Sequence, residues 1–462
     1  MLNIKTTNEM ISTCKFLSAI GVSVLLTSAS FANGPLTKNE EGPDRKKAKS
    51  KQAKNGSEVF HTMQKMPKNK YILREVPGYY FGTDSIPKIR EDTMKFKPSI
   101  SAGAIVHMFG SYSQGGFGPG GNASDQWNKG FSLYRARILL GGQLSKKGSF
   151  FMETEIPTVI GTRIDSTSKN VKVSPIILDC QYEHKFSTAL TLIAGMQLVS
   201  HNRNGLQGAA SLLANDFTFF QYPYNLFENQ PLQGNFGRDL GVNARGYFLN
   251  EKLEYRIGVF TGRRFTDNSP LRTVGRVVYN FLDADKNYYY SGTNLGNGKT
   301  ISLGAGFDVQ GSYSNVGADL FVDLPAGNPG SVTLSAAFSY MTGGTSLTAT
   351  NSFARLIPKQ TTQLLELGYY FKDIKLQPYI RYENQSINAE DNQVYGTSDK
   401  STFNKLHSGS VFGGGLNYFF NGYGTNLRLS YTSFTKGVMN TSGEVDKKSF
   451  GQIWLQLQFF IF

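Results

Sequence analysis

Over 449–462 the chain reads SFGQIWLQLQFFIF, and its hydrophobic and polar side chains alternate. Ile453, Leu455, Leu457, Phe459 and Ile461 share one parity, and Gln452, Gln456 and Gln458 take the other. A period of two predicts a β-strand with one apolar and one wet face. As a free edge in water such a strand would invite aggregation. A closed barrel in a membrane pairs both edges and requires the outward apolar face. The same alternation recurs from residue 99 onward. It predicts sixteen strands near 99–113, 131–144, 149–155, 174–183, 188–198, 239–249, 252–262, 272–282, 300–311, 313–324, 331–342, 361–371, 375–385, 408–420, 423–433 and 449–462. Short connections at 145–148, 184–187, 250–251, 325–330, 372–374 and 421–422 fall at every second junction, as periplasmic turns do, and the last is an Asn-Gly hairpin turn. Two junctions break the rhythm. The stretch 283–299 is long where a turn is expected, and the connection near Ser312 is short where a loop is expected.

Alternation also assigns facing. In 131–144, Tyr134, Ala136, Ile138, Leu140 and Leu144 are expected to face lipid, which turns Arg135 and Arg137 inward. By the same rule Arg245, Arg256, Arg276, Arg381 and Arg428 point into the lumen. An Arg on the lipid face near the bilayer midplane costs roughly 2–4 kcal/mol, so this parity is energetically enforced. Glu153, Glu155, Asp179, Glu183, Asp239, Glu254, Glu366 and Glu383 share the inward parity, so the interior is near neutral. Selectivity then depends on how the charges are segregated. Arg135 and Arg137, two residues apart with no acid between them, are the candidate anion-attracting strip, extended by Arg245 or Arg276.

Composition agrees with an all-β transmembrane barrel. Only 39% of the 462 residues are hydrophobic, and no run of about eighteen apolar residues offers a spanning helix. Gly (50), Tyr (24) and Phe (34) suit short strands, tight turns and aromatic belts. Residues 1–32 read as a secretory signal: Lys5 and Lys15 precede an apolar run, and Ser30-Phe31-Ala32 supplies the small residues of a cleavage site. Residues 33–98 form a basic periplasmic segment, partly disordered, ahead of the barrel at 99–462. Eleven Lys and Arg against five Asp and Glu in 33–75 account for much of the net charge of +14, which therefore says little about the pore. Cys14 and Cys180 form no disulfide or metal pattern. The histidines are dispersed without HExxH, and no GxSxG occurs, so no enzyme and no cofactor is expected. The Gly413-Gly414-Gly415 run lacks a phosphate-loop context and reads as a thin strand where another backbone approaches. A nucleic-acid role for the basic segment conflicts with the signal.

The longest connection, 199–238, holds Leu212, Leu213, Phe217, Phe219, Phe220, Tyr222 and Tyr224. So apolar a segment folds into the barrel to narrow it, or packs on neighbouring loops or another subunit.

Four stretches carry a family likeness: FSLYRARILLGGQLSKKGSFFMETE at 131–155, NFGRDLGVNARGYFLNEKLEYRIGVFTG at 235–262, GRVVYNFLD at 275–283 and LQPYIRYE at 376–383. On these the sequence resembles the phosphate-selective porin family, porins O and P, in its Bacteroidetes-type form. The resemblance spans roughly 99–462 and implies a sixteen-stranded, trimeric diffusion porin of the outer membrane of a Gram-negative bacterium, inserted by the barrel assembly machinery. It also implies lumenal Arg ladders and a Lys-lined constriction, but 199–238 contains no lysine. The expectation is passive diffusion of small hydrophilic solutes with weak preference for anions such as phosphate. The alternatives are a specific channel for an organic solute such as an oligosaccharide, and a plugged structural or adhesive barrel.

Overall fold

The computed structural model describes residues 96–462 apart from 119–123, 157–174, 222–236, 263–269, 328, 343–358, 388–407, 440–441 and 443–444. The expected signal segment, nearly all of the basic segment and residues 222–236 of the long connection lie outside the described residues.

Sixteen antiparallel strands close into one barrel. They are β1 (Ser99–Gln114), β2 (Trp127–Gln143), β3 (Gly148–Glu155), β4 (Ile176–Ser187), β5 (Leu190–Leu198), β6 (Arg238–Phe248), β7 (Leu253–Phe260) and β8 (Arg272–Asn280). The second half comprises β9 (Thr300–Gln310), β10 (Tyr313–Pro325), β11 (Gly330–Thr342), β12 (Gln360–Phe371), β13 (Leu376–Ile387), β14 (Gly409–Asn421), β15 (Thr425–Met439) and β16 (Val445–Ile461). Each strand pairs with its sequence neighbours, and β16 pairs with β1 from Ala104↔Ile461 to Ser113↔Gln452 to complete the ring. Closure satisfies every strand edge, which a bilayer interior demands.

The two faces differ as the alternation requires. Ile138, Leu240, Val242, Ile257, Val259, Val277, Ile380, Tyr431, Phe459 and Ile461 are exposed on the outside, Ile461 at 70%. Gln456 and Gln458 are buried within. Both irregular junctions are real. Only 311–312 separates β9 from β10, and 281–299 is a long excursion between β8 and β9.

That excursion folds into the barrel from the short-turn end, burying Tyr288, Tyr289, Tyr290 and Leu295. From the opposite end the segment 199–221 also folds inward, with two 3₁₀ turns at Asn204–Leu206 and Ala209–Ser211. The two meet inside: Tyr290 N–H donates to Leu206 O (2.9 Å), Gly208 N–H to Tyr290 O (3.1 Å) and Gly292 N–H to Ser211 O (3.0 Å). Where 199–221 crosses β9, Gly306 is required, because a Cβ there would overlap the His201 carbonyl.

Two local expectations are corrected. Tyr134 does not face lipid. The register slips between His107 and Met108, so His107 pairs with Arg135 and Met108 with Leu133, and the extra residue turns the Tyr134 ring inward. The 421–422 hairpin is longer than a two-residue turn, spanning 422–424 beside a second register shift. Gly422 has φ of 52°, Gly424 N–H donates to Asn421 O (2.9 Å), and Tyr423 points inward to donate its hydroxyl to Thr293 O. The Gly413-Gly414-Gly415 run is a place of close backbone approach, as expected: a Cβ on each would overlap a main-chain carbonyl of a flanking strand, those of Tyr431, Tyr379 and Leu429 in turn, and Gly413 and Gly414 also line an internal cavity.

Candidate functional site

All seven arginines singled out by alternation are buried inside the barrel. What the sequence did not reveal is what they hold. Arg137 is a wall residue, paired with Glu153 (2.6 Å) and Glu155 on the neighbouring β3. The other six bond to the in-folded segments. Arg245 and Arg256 grip the 281–299 excursion: Arg245 donates to Lys286 O (2.9 Å), and Arg256 to Tyr288 O (2.9 Å) and Asn287 O (3.2 Å). Arg256 also pairs with Glu254 at 2.7 Å. Arg276 pairs with Asp319 (2.7 Å) and donates to His201 O (3.2 Å).

Arg135, Arg381 and Arg428 grip the far part of 199–221. Arg135 pairs with Asp216 at 2.7 Å. Arg381 pairs with Glu366 (2.6 Å) and donates to Asp216 O (2.9 Å) and Phe217 O (3.1 Å). Glu383 accepts the Phe219 N–H (2.8 Å) and Phe220 N–H (3.1 Å). Arg428 makes no ion pair among the described residues. It donates to Leu212 O and Ala214 O, both at 2.9 Å, and to Asn426 Oδ1 at 2.8 Å.

The expected Arg135/Arg137 strip is therefore charge-compensated, each guanidinium meeting at least one carboxylate. Distance along the chain hid this, since Asp216 comes from a loop and Glu153 from another strand. Sequence reasoning also passed over Arg203, Arg238 and Arg272. Arg203 lies within 199–221, pairs with Asp285 of the excursion (2.8 Å) and stacks on Phe321 with its guanidinium 3.7 Å from the ring centre. Arg238 pairs with Asp179 (3.0 Å), and Arg272 with Asp308 (2.6 Å). Arg272 shares the parity of Arg276, so alternation could have found it.

Between the segment 214–219 and the wall formed by β13, β14, β15, β16 and β2 lies a cavity of about 350 Å³. Arg135, Asp216, Arg381, Thr432 and Gln452 give it polar walls, and Tyr134, Phe217, Phe219, Tyr379 and Trp454 aromatic ones. Among the described residues no cluster of His, Cys, Asp and Glu is arranged to hold a metal.

No protein-family model matches the sequence, and no curated protein matches it. Solved structures of outer-membrane proteins do align with much of it. The outer membrane channel DcaP of Acinetobacter baumannii aligns over 78% of this chain and 97% of its own, at 10% identity and a TM-score of 0.47. OprB of Pseudomonas putida aligns over 79% and 94%, at 10% identity and a TM-score of 0.49. OmpF of Salmonella typhi, in complex with daunomycin, aligns over 78% and 97%, at 12% identity and a TM-score of 0.47.

Proposed function

We propose that this chain is an outer-membrane channel through which small hydrophilic solutes diffuse passively. One observation carries the reading: a closed sixteen-strand barrel with an apolar outside has a polar interior crossed by two internal segments that leave a lined cavity. An apolar exterior band is what a bilayer requires, and a polar interior is what an aqueous path requires. The segments 199–221 and 281–299 are then the constriction, and the arginines are the residues that hold it in shape. Solutes pass without covalent chemistry or energy coupling.

Finer parts of the reading follow from it. The short-turn end faces the periplasm and the long connections face outward, after export directed by 1–32. The strand-and-turn likeness to the phosphate-selective porins supports a common origin with that family and assembly as a homotrimer. The lumenal arginines supply the polar path, and because each ion-paired guanidinium is matched by a carboxylate, anion preference is weak. Liposome swelling tests the proposal. Vesicles carrying the refolded protein should admit small sugars at rates that fall steeply with solute size, and vesicles that stay impermeable to every solute would contradict it.

A further inference from the structure

The internal cavity contains a built anion cradle. Tyr134 Oη donates to one oxygen of the Asp216 carboxylate at 2.6 Å, and Arg135 Nη2 donates to the other at 2.7 Å. Both donors belong to the barrel wall on β2, while the acceptor belongs to the in-folded segment. Arg135 Nη1 is held in place by Nδ1 of His107 at 3.2 Å. Its guanidinium carbon lies 5.0 Å from the ring centres of both Tyr134 and Phe217. A planar guanidinium and a phenol aimed at one point recognise a carboxylate whichever molecule supplies it.

The surroundings decide what else the ligand would carry. Phe117, Phe217, Phe219, Tyr379 and Trp454 line the same cavity, whose 350 Å³ suits a compact ring-containing molecule. Arg381, the other cavity-lining cation, is less available, because its donors already serve Glu366 and the carbonyls of Asp216 and Phe217. The Asp216 side chain keeps 20% of its surface exposed, so the pair it makes with Arg135 borders open space.

We propose that Tyr134 and Arg135 form a binding site for a small aromatic carboxylate, and that Asp216 is the tethered internal competitor for that site. When the ligand takes the cradle, Asp216 withdraws and the segment 214–219 unlatches from β2. The segment stays anchored to β13, since Arg381 and Glu383 bind its backbone. Displacement at one side therefore swings it and does not expel it. This inference rests on the channel reading only in placing the cradle on a solute's path.

The test uses refolded protein in detergent. The chain has two tryptophans, so Trp127→Phe leaves Trp454, in the cavity wall, as the sole reporter. Benzoate should change Trp454 emission saturably, and benzamide, its uncharged isostere, should not. Asp216→Asn removes the competing charge and should tighten benzoate binding by about tenfold, the lower range for one charge-assisted hydrogen bond. Tyr134→Phe should weaken binding severalfold and Arg135→Gln should abolish it. Tyr134→Phe keeps the comparison readable if Arg135→Gln fails to fold. Benzamide titrating as well as benzoate, or an unchanged benzoate constant in Asp216→Asn, would overturn the proposal. Emission in detergent does not depend on conduction. A barrel that binds benzoate but blocks all solutes would sink the channel reading alone, and a permeable one indifferent to benzoate would sink the cradle alone.

Discussion

Replacing Arg428 by Ala tests whether the arginines hold the constriction. The side chain is fully buried, on β15, and reaches into the segment 210–214. Its two carbonyl bonds are 2.9 Å long, and a third, to Ala210 O, is a marginal 3.5 Å. Hydrogen bonds from a charged donor contribute about 1.5–3 kcal/mol each. Water entering the space left by the side chain would recover part of this, so the low end applies. Two bonds then total about 3 kcal/mol, which raises the population of the detached segment roughly a hundredfold. Gln458 Nε2 to Ala210 O (3.0 Å) and Asn417 Nδ2 to Leu213 O (2.7 Å) remain, so the barrel itself should still fold. Hydrogen exchange of the 210–216 amides, followed by mass spectrometry, reads the detachment directly, and bilayer current noise reads it functionally. If both are unchanged in Arg428→Ala, the guanidinium does not hold the segment and the reasoning fails.

Ile257, exposed midway along β7, should face the bilayer core, so Ile257→Arg should cost about 2–4 kcal/mol in urea titrations of vesicle-folded protein; an unshifted midpoint would place that face away from lipid. Replacing 286–294 by a short Gly-Asn turn should leave the β8–β9 hairpin closed, because Phe281 N–H to Ile301 O (2.8 Å) and Asp283 N–H to Lys299 O (2.9 Å) survive. Conductance should rise in that variant, and an unchanged value would show that the excursion does not narrow the path. Deleting 459–462 removes the β16 pairing with Ala104, Ile105 and Val106, so heat-modifiable gel migration should be lost; normal migration would mean the ring closes without those pairs.

The strand plan was legible because alternation is a local property and membrane burial punishes the wrong parity. All sixteen strands lie near their expected positions, and the inward arginines were found by parity alone. Tyr134 escaped because a bulge shifts parity without leaving a mark in the sequence. Asp216 escaped because its partners, Tyr134 and Arg135, lie far away along the chain and meet it only across the lumen. The length of 283–299 was visible as an anomaly, but its pairing with 206–211 uses main-chain groups that any sequence carries. The same limit applies to Arg428, whose partners are carbonyls and have no signature in residue type.

The central claim is that this barrel conducts, through a lumen shaped by its own in-folded segments. Single-channel recording of the purified protein in planar bilayers tests it most directly. Stepwise, steady conductance that increases in the variant lacking 286–294 is the predicted result. A wild-type barrel that inserts but stays silent, with the shortened variant equally silent, would contradict it.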